Sequence, residues 1–523
     1  MADTKREIER KYEADAEARA TGETPLPDLT RVAGVSSVLD KGVAELDAVY
    51  YDTHDLRLAA DSITLRRRTG GDDAGWHLKL PVSPDVRDEI RAPLGDTIPR
   101  SLAGLIRSRT RDDLVVPVVR LLSSRDVRHL LDARGELLAE VSVDSVTAER
   151  LDGDGGTARW TEIEVELADG GDPAFLDAVE KRLRKAGVRR ASSASKLARA
   201  LADTAPQSKP EKPQPKPEKE KKRRKTAPDT AGDHVLAYLR EQVDAIVAYD
   251  PAVRRDLPDS VHQLRVATRR LRSALRTYKK VLDRTVTDPI ADELKWLAGE
   301  LGVDRDHEVL NDRLQTRIAA LPRPLLLGPV RGRLRTWSVS RRTGSRRKTI
   351  AVLDSRRHLD LLTTLHALLA DPPLLPAAAQ PAAKLLPKAV LRDYARLAAR
   401  VEHALSVPPG HDRDLAMHEA RKAAKRARYA AEAACPALGK PAKRFAKRMK
   451  AVQTVLGDHQ DSVVARDALR NLAVQAHAAG ETAFTWGLLY GQEEADAAAR
   501  ERELPEVWER ASRPELRADL RAV

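Results

Sequence analysis

The sequence predicts a multi-domain chain: an N-terminal α+β domain built on a closed antiparallel β-barrel with outer helices, followed by an all-α domain of two duplicated helical bundles. Three observations lead there. Charged and apolar residues alternate with period two in several separate stretches of the first half. The segment "PQSKPEKPQPKPEKEKKRRKTAP" (206–228) is almost wholly Pro, Lys, Glu and Arg, a composition that buries too little apolar surface to offset the entropy of ordering. Beyond it, one basic helical pattern occurs twice. The expected divisions are a barrel domain over 1–203, a basic linker over 204–228 and a helical domain over 229–523.

The barrel begins with "REIERKYE" (6–13), where Lys5, Glu7, Glu9, Lys11 and Glu13 fall on one face and Ile8 and Tyr12 on the other. The same alternation sets Thr64, Arg66 and Arg68 opposite Ile63 and Leu65, and His77 and Lys79 opposite Trp76, Leu78 and Leu80. Downstream, Glu140, Ser142 and Asp144 oppose Ala139, Val141 and Val143, and Glu162, Glu164 and Glu166 oppose Ile163, Val165 and Leu167. Any one such strand reads equally as a half-exposed sheet with solvated charges. Taken together, the basic and acidic faces complement one another if the sheet closes with them inward, and a barrel of about eight strands is wide enough for one small ligand. The apolar faces then pack outward against helices expected at 97–109 and 172–187.

In such a lumen, clustered carboxylates are hard oxygen ligands suited to Mg2+ or Mn2+, and clustered Arg and Lys suit phosphate oxygens. The ordered series Glu7-Ile8-Glu9-Arg10-Lys11, "YYDTHDLRL", "ITLRRR", "WHLKLP", "RDE" (87–89), Arg125, Asp144, "EIEVEL" and "SKL" (195–197) resembles the CYTH, or triphosphate tunnel metalloenzyme, family over about residues 1–203. The resemblance implies a tunnel that hydrolyses a triphosphate with a divalent metal. It further implies that Glu7, Glu9, Glu162, Glu164 and Glu166 hold the metal and that Lys11, Arg66, Arg68, Lys79, Arg87, Arg125 and Lys196 bind phosphate. Leu197 stands where the family usually has Tyr, so no stacking group is expected there.

Past the linker, Val390, Tyr394, Leu397, Val401 and Leu405 recur at helical spacing, and Pro clusters near 322–329 and 372–387 punctuate the helices. "VHQLRVATRRLRSALRTY" from Val261 is alike to "MHEARKAAKRARYAAEAA" from Met417, and "LAGELGVDRDHEVL" (297–310) to "VQTVLGDHQDSVV" (452–464). In the first copy His262, Arg265, Arg269, Arg272 and Arg276 share a helical face flanked by Arg270; in the second, His418, Arg421, Lys425 and Arg428 do so beside Lys422 and Arg426. Solvated basic faces would explain one such helix; two copies point instead to an anionic ligand. Arg305, Asp306 and Asp461, after the Leu-Gly turns, read as internal partners of the bases. The "H-x-x-R-x-x-x-R-R" pattern is similar to that of the CHAD domain over approximately 229–500. That resemblance implies paired bundles whose basic surface binds inorganic polyphosphate, with Lys425 in place of the arginine seen at Arg269.

The whole chain of 523 residues carries 92 Lys+Arg against 79 Asp+Glu, a net charge of +13, with only 3% aromatics. Polyanionic partners fit this balance, whereas base stacking on aromatic rings, the usual mode of single-stranded nucleic-acid recognition, does not. Cys435 is the lone cysteine, which excludes an intrachain disulfide and a thiolate metal cluster. With no apolar signal core or spanning segment, a cytoplasmic protein is expected, gathered at polyphosphate granules where those form. The functions in view are a metal-dependent triphosphatase coupled to a polyphosphate-binding module or, alternatively, a non-enzymatic polyphosphate-binding or granule-associated protein.

Overall fold

A computed structural model of the chain describes residues 3–14, 26–153, 155–205 and 230–522, with backbone alone at 303–306 and 340–345. It divides into two compact units, Met1–Lys219 and Glu220–Val523. The expected linker beyond Ala205, and the side chains of Arg305 and Asp306, lie outside the described residues. Among those described, no helix is long and apolar enough to cross a membrane.

The first unit holds strands β1 (Asp3–Ala14), β2 (Ser37–Asp52), β3 (Thr64–Thr69), β4 (Gly75–Ser83), β5 (Val86–Ala92), β6 (Val116–Leu131), β7 (Leu137–Arg150), β8 (Thr157–Leu167) and β9 (Val188–Arg190). They run in the order β5-β4-β3-β2-β6-β7-β8-β1-β9, and β1 also pairs with β5. That pairing closes β1–β8 into the antiparallel barrel the alternation predicts, with β9 extending the end of β1. Closure removes the exposed sheet edges that invite aggregation.

Period two decides which face each side chain takes. Ile63, Leu65, Trp76, Leu78 and Ile90 point outward and are covered by Leu102, Leu105 and Ile106 of the helix Arg100–Thr110. Tyr12, Val141, Ile163 and Val165 are covered by Leu176, Val179 and Leu183 of the helix Ala174–Lys185. Both helices lie within a few residues of the expected spans. The outward core is what holds the barrel closed. Leu78→Ala, at a fully buried position, is expected to cost about 2–5 kcal/mol in denaturant unfolding followed by circular dichroism; a loss under about 0.5 kcal/mol, as for an ordinary surface change, would contradict this packing.

Among the described residues the second unit is helical, and its helix Ala231–Arg254 starts at a capping box in which Thr230 and Asp233 satisfy each other's backbone N–H groups. The basic repeats lie on the helix Ser260–Thr277 and on the first part of His411–Ala478, which is broken at Gly439 (φ +61°) between Pro436 and Pro441. Val390, Tyr394, Leu397 and Val401 are buried as expected, whereas Leu405, near the end of Ala382–Ser406, is exposed. That helix also runs through Pro387 instead of stopping at the proline cluster.

Each of the two apolar cores draws on both copies of the duplication. The larger joins Leu264, Leu271 and Leu275 to Ala420, Ala424 and Ala427. The smaller joins Leu314, Ile318 and Leu334 to Leu469, Leu472 and Trp486.

A charged tunnel and a basic helical groove

Inward-facing residues of the barrel line a cavity of about 610 Å3. Every base expected in the tunnel, Lys11, Arg66, Arg68, Lys79, Arg87, Arg125 and Lys196, borders it, as do Glu7, Glu9, Glu164 and Glu166. Strand register makes these charges neighbours: Glu164 lies opposite Lys11 across β8 and β1, Asp144 lies between Arg125 and Glu162, and Lys79 lies opposite Glu89.

The side chains form a dense ionic network. Lys196 follows Ser195, whose hydroxyl caps the helix Lys196–Asp203 by accepting from the Ala198 N–H. This places the Lys196 Nζ 2.9 Å from Asp144, 2.8 Å from Glu162 and 2.7 Å from Glu164. Arg125 donates two hydrogen bonds to Asp144, at 2.7 and 2.8 Å, and one to Glu164 at 2.6 Å. Lys11 pairs with Glu164 and stands 3.5 Å from Glu9, which Arg87 approaches at 3.4 Å. Lys79 reaches Glu7 at 2.6 Å, and Arg66 donates to the Tyr50 hydroxyl at 3.3 Å.

Burial and neighbouring charge set the protonation states. Burial raises Glu7 to about 7 against the pull of Lys79. At Glu9 burial also opposes ionisation, but Lys11, Lys79 and Arg87 outweigh it and hold the carboxyl at about 2. Glu164 stays well below the usual carboxylate range because Lys11, Lys196 and Arg125 overcome its burial. Arg68 is pushed down to about 9 by burial and by the like charges of Arg66 and Arg125. A cation made less stable by its neighbours is poised to gain from an arriving anion.

Asp144, Glu162 and Glu164, all buried, each present an oxygen within 4.8 Å of the others. This all-oxygen set fits a hard divalent ion such as Mg2+ or Mn2+. The five carboxylates expected as metal ligands are divided: Glu7 is paired with Lys79, Glu9 stands beside Lys11 two residues along its own strand, and Glu166 pairs with Lys5 at 2.6 Å. Glu162 stands behind the lining, where it accepts from the Trp160 indole N–H at 2.7 Å. Sequence reasoning placed Asp144 in the pattern without a role, and it gave no role to Glu89, which is buried beside His77 (2.9 Å) and Arg91. The alternation Arg87, Glu89, Arg91 along β5 carried that signal.

In the helical unit a second cavity, of about 620 Å3, is lined by His262, Arg265, Arg269 and Arg270 from one copy and His418, Arg421, Lys425 and Arg428 from the other. Residues that the duplication equates therefore share a single groove. Asp461, expected as an internal partner, borders it 3.6 Å from Arg421 and is the one lining carboxylate among the described residues. Gln460 lies 2.5 Å from His418 Nδ1. Burial, with Arg421 and Arg269 adding repulsion, lowers Lys425 to about 7.

Four members of the two basic faces, Arg272, Arg276, Lys422 and Arg426, fall outside this groove. Arg426 borders a separate cavity of about 320 Å3 with Arg276 and Lys279 and pairs with Asp393 at 3.0 Å, and Arg272 lies on that side, near Arg276 and Arg426. Lys422 is exposed and pairs with Glu419 at 2.6 Å. One residue past Arg421 or Lys425 is about 100° farther around a helix, which carries Lys422 and Arg426 off the shared face.

The CYTH domain family model matches residues 5–201, and the CHAD domain model matches residues 237–470. The chain is a CYTH domain joined to a CHAD domain. It is 41% identical over 514 residues to the protein Rv2226 of Mycobacterium tuberculosis, a match that spans 95% of this chain and 94% of that one. Among solved structures it is similar to PptA from Streptomyces chartreusis (22% identity, TM-score 0.46, 54% of this chain and 100% of that one). It is also similar to the CHAD domain from the plant Ricinus communis (27% identity, TM-score 0.42, 56% of this chain and 93% of that one). The tunnel thus lies in the CYTH domain and the paired-repeat groove in the CHAD domain.

Proposed function

We propose that the CYTH domain is a divalent-metal-dependent triphosphatase acting on inorganic triphosphate or short polyphosphate, and that the CHAD domain holds polyphosphate chains. The observation that carries this reading is the tunnel cavity, which ten Lys and Arg side chains line together with Glu7, Glu9, Glu89, Glu164 and Glu166, and beside which Asp144 and Glu162 complete a buried carboxylate cluster with Glu164. Bases alone would suit any anion. Carboxylates interleaved with them suit an anion that arrives with metal, as a condensed phosphate does.

Arg66, Arg68 and Lys79 from β3 and β4 offer donors to phosphate oxygens on one wall, and Lys11, Arg87 and Arg125 do so from the others. Arg125 and Lys196 hold Asp144 and Glu164 in fixed orientations, so the acidic cluster is set before substrate arrives. A divalent ion held by Asp144, Glu162 and Glu164, with Glu7 and Glu9 at hand, would supply charge neutralisation on the phosphates and acidify a water. No side-chain nucleophile is needed, since phosphoryl transfer to water rests on positioning and electrostatics.

Arg66→Ala and Lys79→Ala are each expected to weaken tripolyphosphate binding by roughly 1.5–3 kcal/mol, the scale of one charge-assisted hydrogen bond. Calorimetric titration of both variants tests the assignment, and unchanged affinity in both would place these side chains outside the phosphate path. One feature favours the reading of a binder without turnover: Lys196 already bridges all three clustered carboxylates. Phosphate release separates the two.

A further inference from the structure

A second cluster of metal-ligating side chains lies in the CHAD domain, outside the basic groove. Asp414, His459 and Glu501 come from three helical segments: the start of His411–Ala478, the part of it beyond Gly439, and Phe484–Ala511. Each offers one ligand atom within 4.8 Å of the others. His459 is fully buried, and neither of its ring nitrogens makes a hydrogen bond. Its Nε2 points between the acids, 3.2 Å from Asp414 Oδ1 and 3.5 Å from Glu501 Oε1.

The outer oxygens of both acids are already engaged. Arg466 donates to Asp414 Oδ2 at 2.8 Å, and Arg413 donates to Glu501 Oε2 at 2.8 Å. These guanidinium contacts fix the carboxylates so that the inner oxygens face the imidazole, the orienting role that outer partners play at metal centres. A tetrahedral ion with ligands at about 2.1 Å holds them about 3.4 Å apart, which matches the two separations at Nε2. The acid side chains each keep 15% exposure, so water or a small anion has access to complete the shell.

A satisfied ion pair is the competing explanation. It accounts for the arginines but leaves the buried Nε2 without a well-directed hydrogen bond to either acid, a costly state for a buried polar group. An ion seated between the three donors removes the mismatch at Nε2. One imidazole nitrogen with two carboxylate oxygens suits a borderline first-row ion and suits Mg2+ or Ca2+ poorly. We propose that Asp414, His459 and Glu501 form a divalent metal site of the Zn2+ class that fastens three helical segments of the CHAD domain. Asp414 precedes the groove residue His418 by one helical turn, and His459 adjoins Gln460, which contacts His418. The site therefore anchors the His418 end of the groove.

The test uses the untagged full chain, stripped with a chelator and then equilibrated with Zn2+. Bound zinc is counted in the parent, in His459→Ala, in Glu501→Gln and in the tunnel variant Glu9→Gln, with circular dichroism confirming the fold. His459→Ala and Glu501→Gln are each expected to lose one zinc equivalent that Glu9→Gln retains. X-ray absorption at the zinc edge is expected to show an imidazole neighbour in Glu9→Gln and none in His459→Ala. If His459→Ala does not fold, Glu501→Gln alone decides. Parental zinc stoichiometry in the folded variants, or zinc without an imidazole neighbour in the parent, would overturn the proposal.

Discussion

Glu9→Gln is expected to lower metal-dependent hydrolysis of tripolyphosphate by at least about 100-fold, the scale seen when one preorganised electrostatic group is removed from an active site. The substitution keeps the size and strand pattern of the side chain and deletes one negative charge. Glu9 is the tunnel carboxylate whose ionised state Lys11, Lys79 and Arg87 jointly enforce, so the charge lost is present at every working pH. Lys11 keeps Glu164 as a partner in the variant, which limits the collateral change. Barrel stability is expected to stay near that of the parent, and the loss to fall mainly on kcat. Turnover at the parental level in a folded Glu9→Gln chain would remove Glu9 from the mechanism.

Charge reversal of Arg265, Arg269, Arg421 and Lys425 to Glu is expected to abolish binding of long polyphosphate by the full chain while tripolyphosphate hydrolysis in the CYTH tunnel survives. These residues line one groove from both copies of the repeat, and burial together with the crowding of like charge there already lowers Lys425. A bound phosphate chain relieves that repulsion, whereas four acids reverse its sign. Parental binding is expected to weaken steeply with added salt, as counterion release dictates for linear polyanions. Duplex DNA is expected to compete poorly, because its phosphates are spread over a cylinder too wide to follow a groove between two helices. Long-chain binding that survives the reversal, or DNA that displaces polyphosphate readily, would contradict the assignment.

Much of the tunnel was legible because a strand has a period of two: once Glu7, Glu9 and Lys11 alternate with Ile8 and Tyr12, facing follows without long-range information. Depth within the lumen was not legible. Glu162 and Glu164 share a face, yet only Glu164 borders the open space, while Glu162 is held between the Trp160 indole and Lys196. Asp144 gains its place from Arg125 on one neighbouring strand and Glu162 on the other, a pairing that no local pattern encodes. In the helical half the duplication exposed the groove, but spacing alone could not say where along the helix the shared surface ends. Arg272 lies beyond it, toward the smaller cavity that Arg276 and Arg426 border. The mixed cores were equally hidden, since helices such as Gly302–Ala320 pack on residues far along the chain.

Hydrolysis of a condensed phosphate with a metal is the reaction assigned to the tunnel. Phosphate release by the purified full chain from tripolyphosphate, ATP and thiamine triphosphate, each with Mg2+, with Mn2+ and with chelator, tests it most directly. Release is expected to require metal and to be fastest from tripolyphosphate. Absence of metal-dependent release from any of the three, by a chain that still binds tripolyphosphate, would contradict the triphosphatase assignment and leave a phosphate-chain binder in its place.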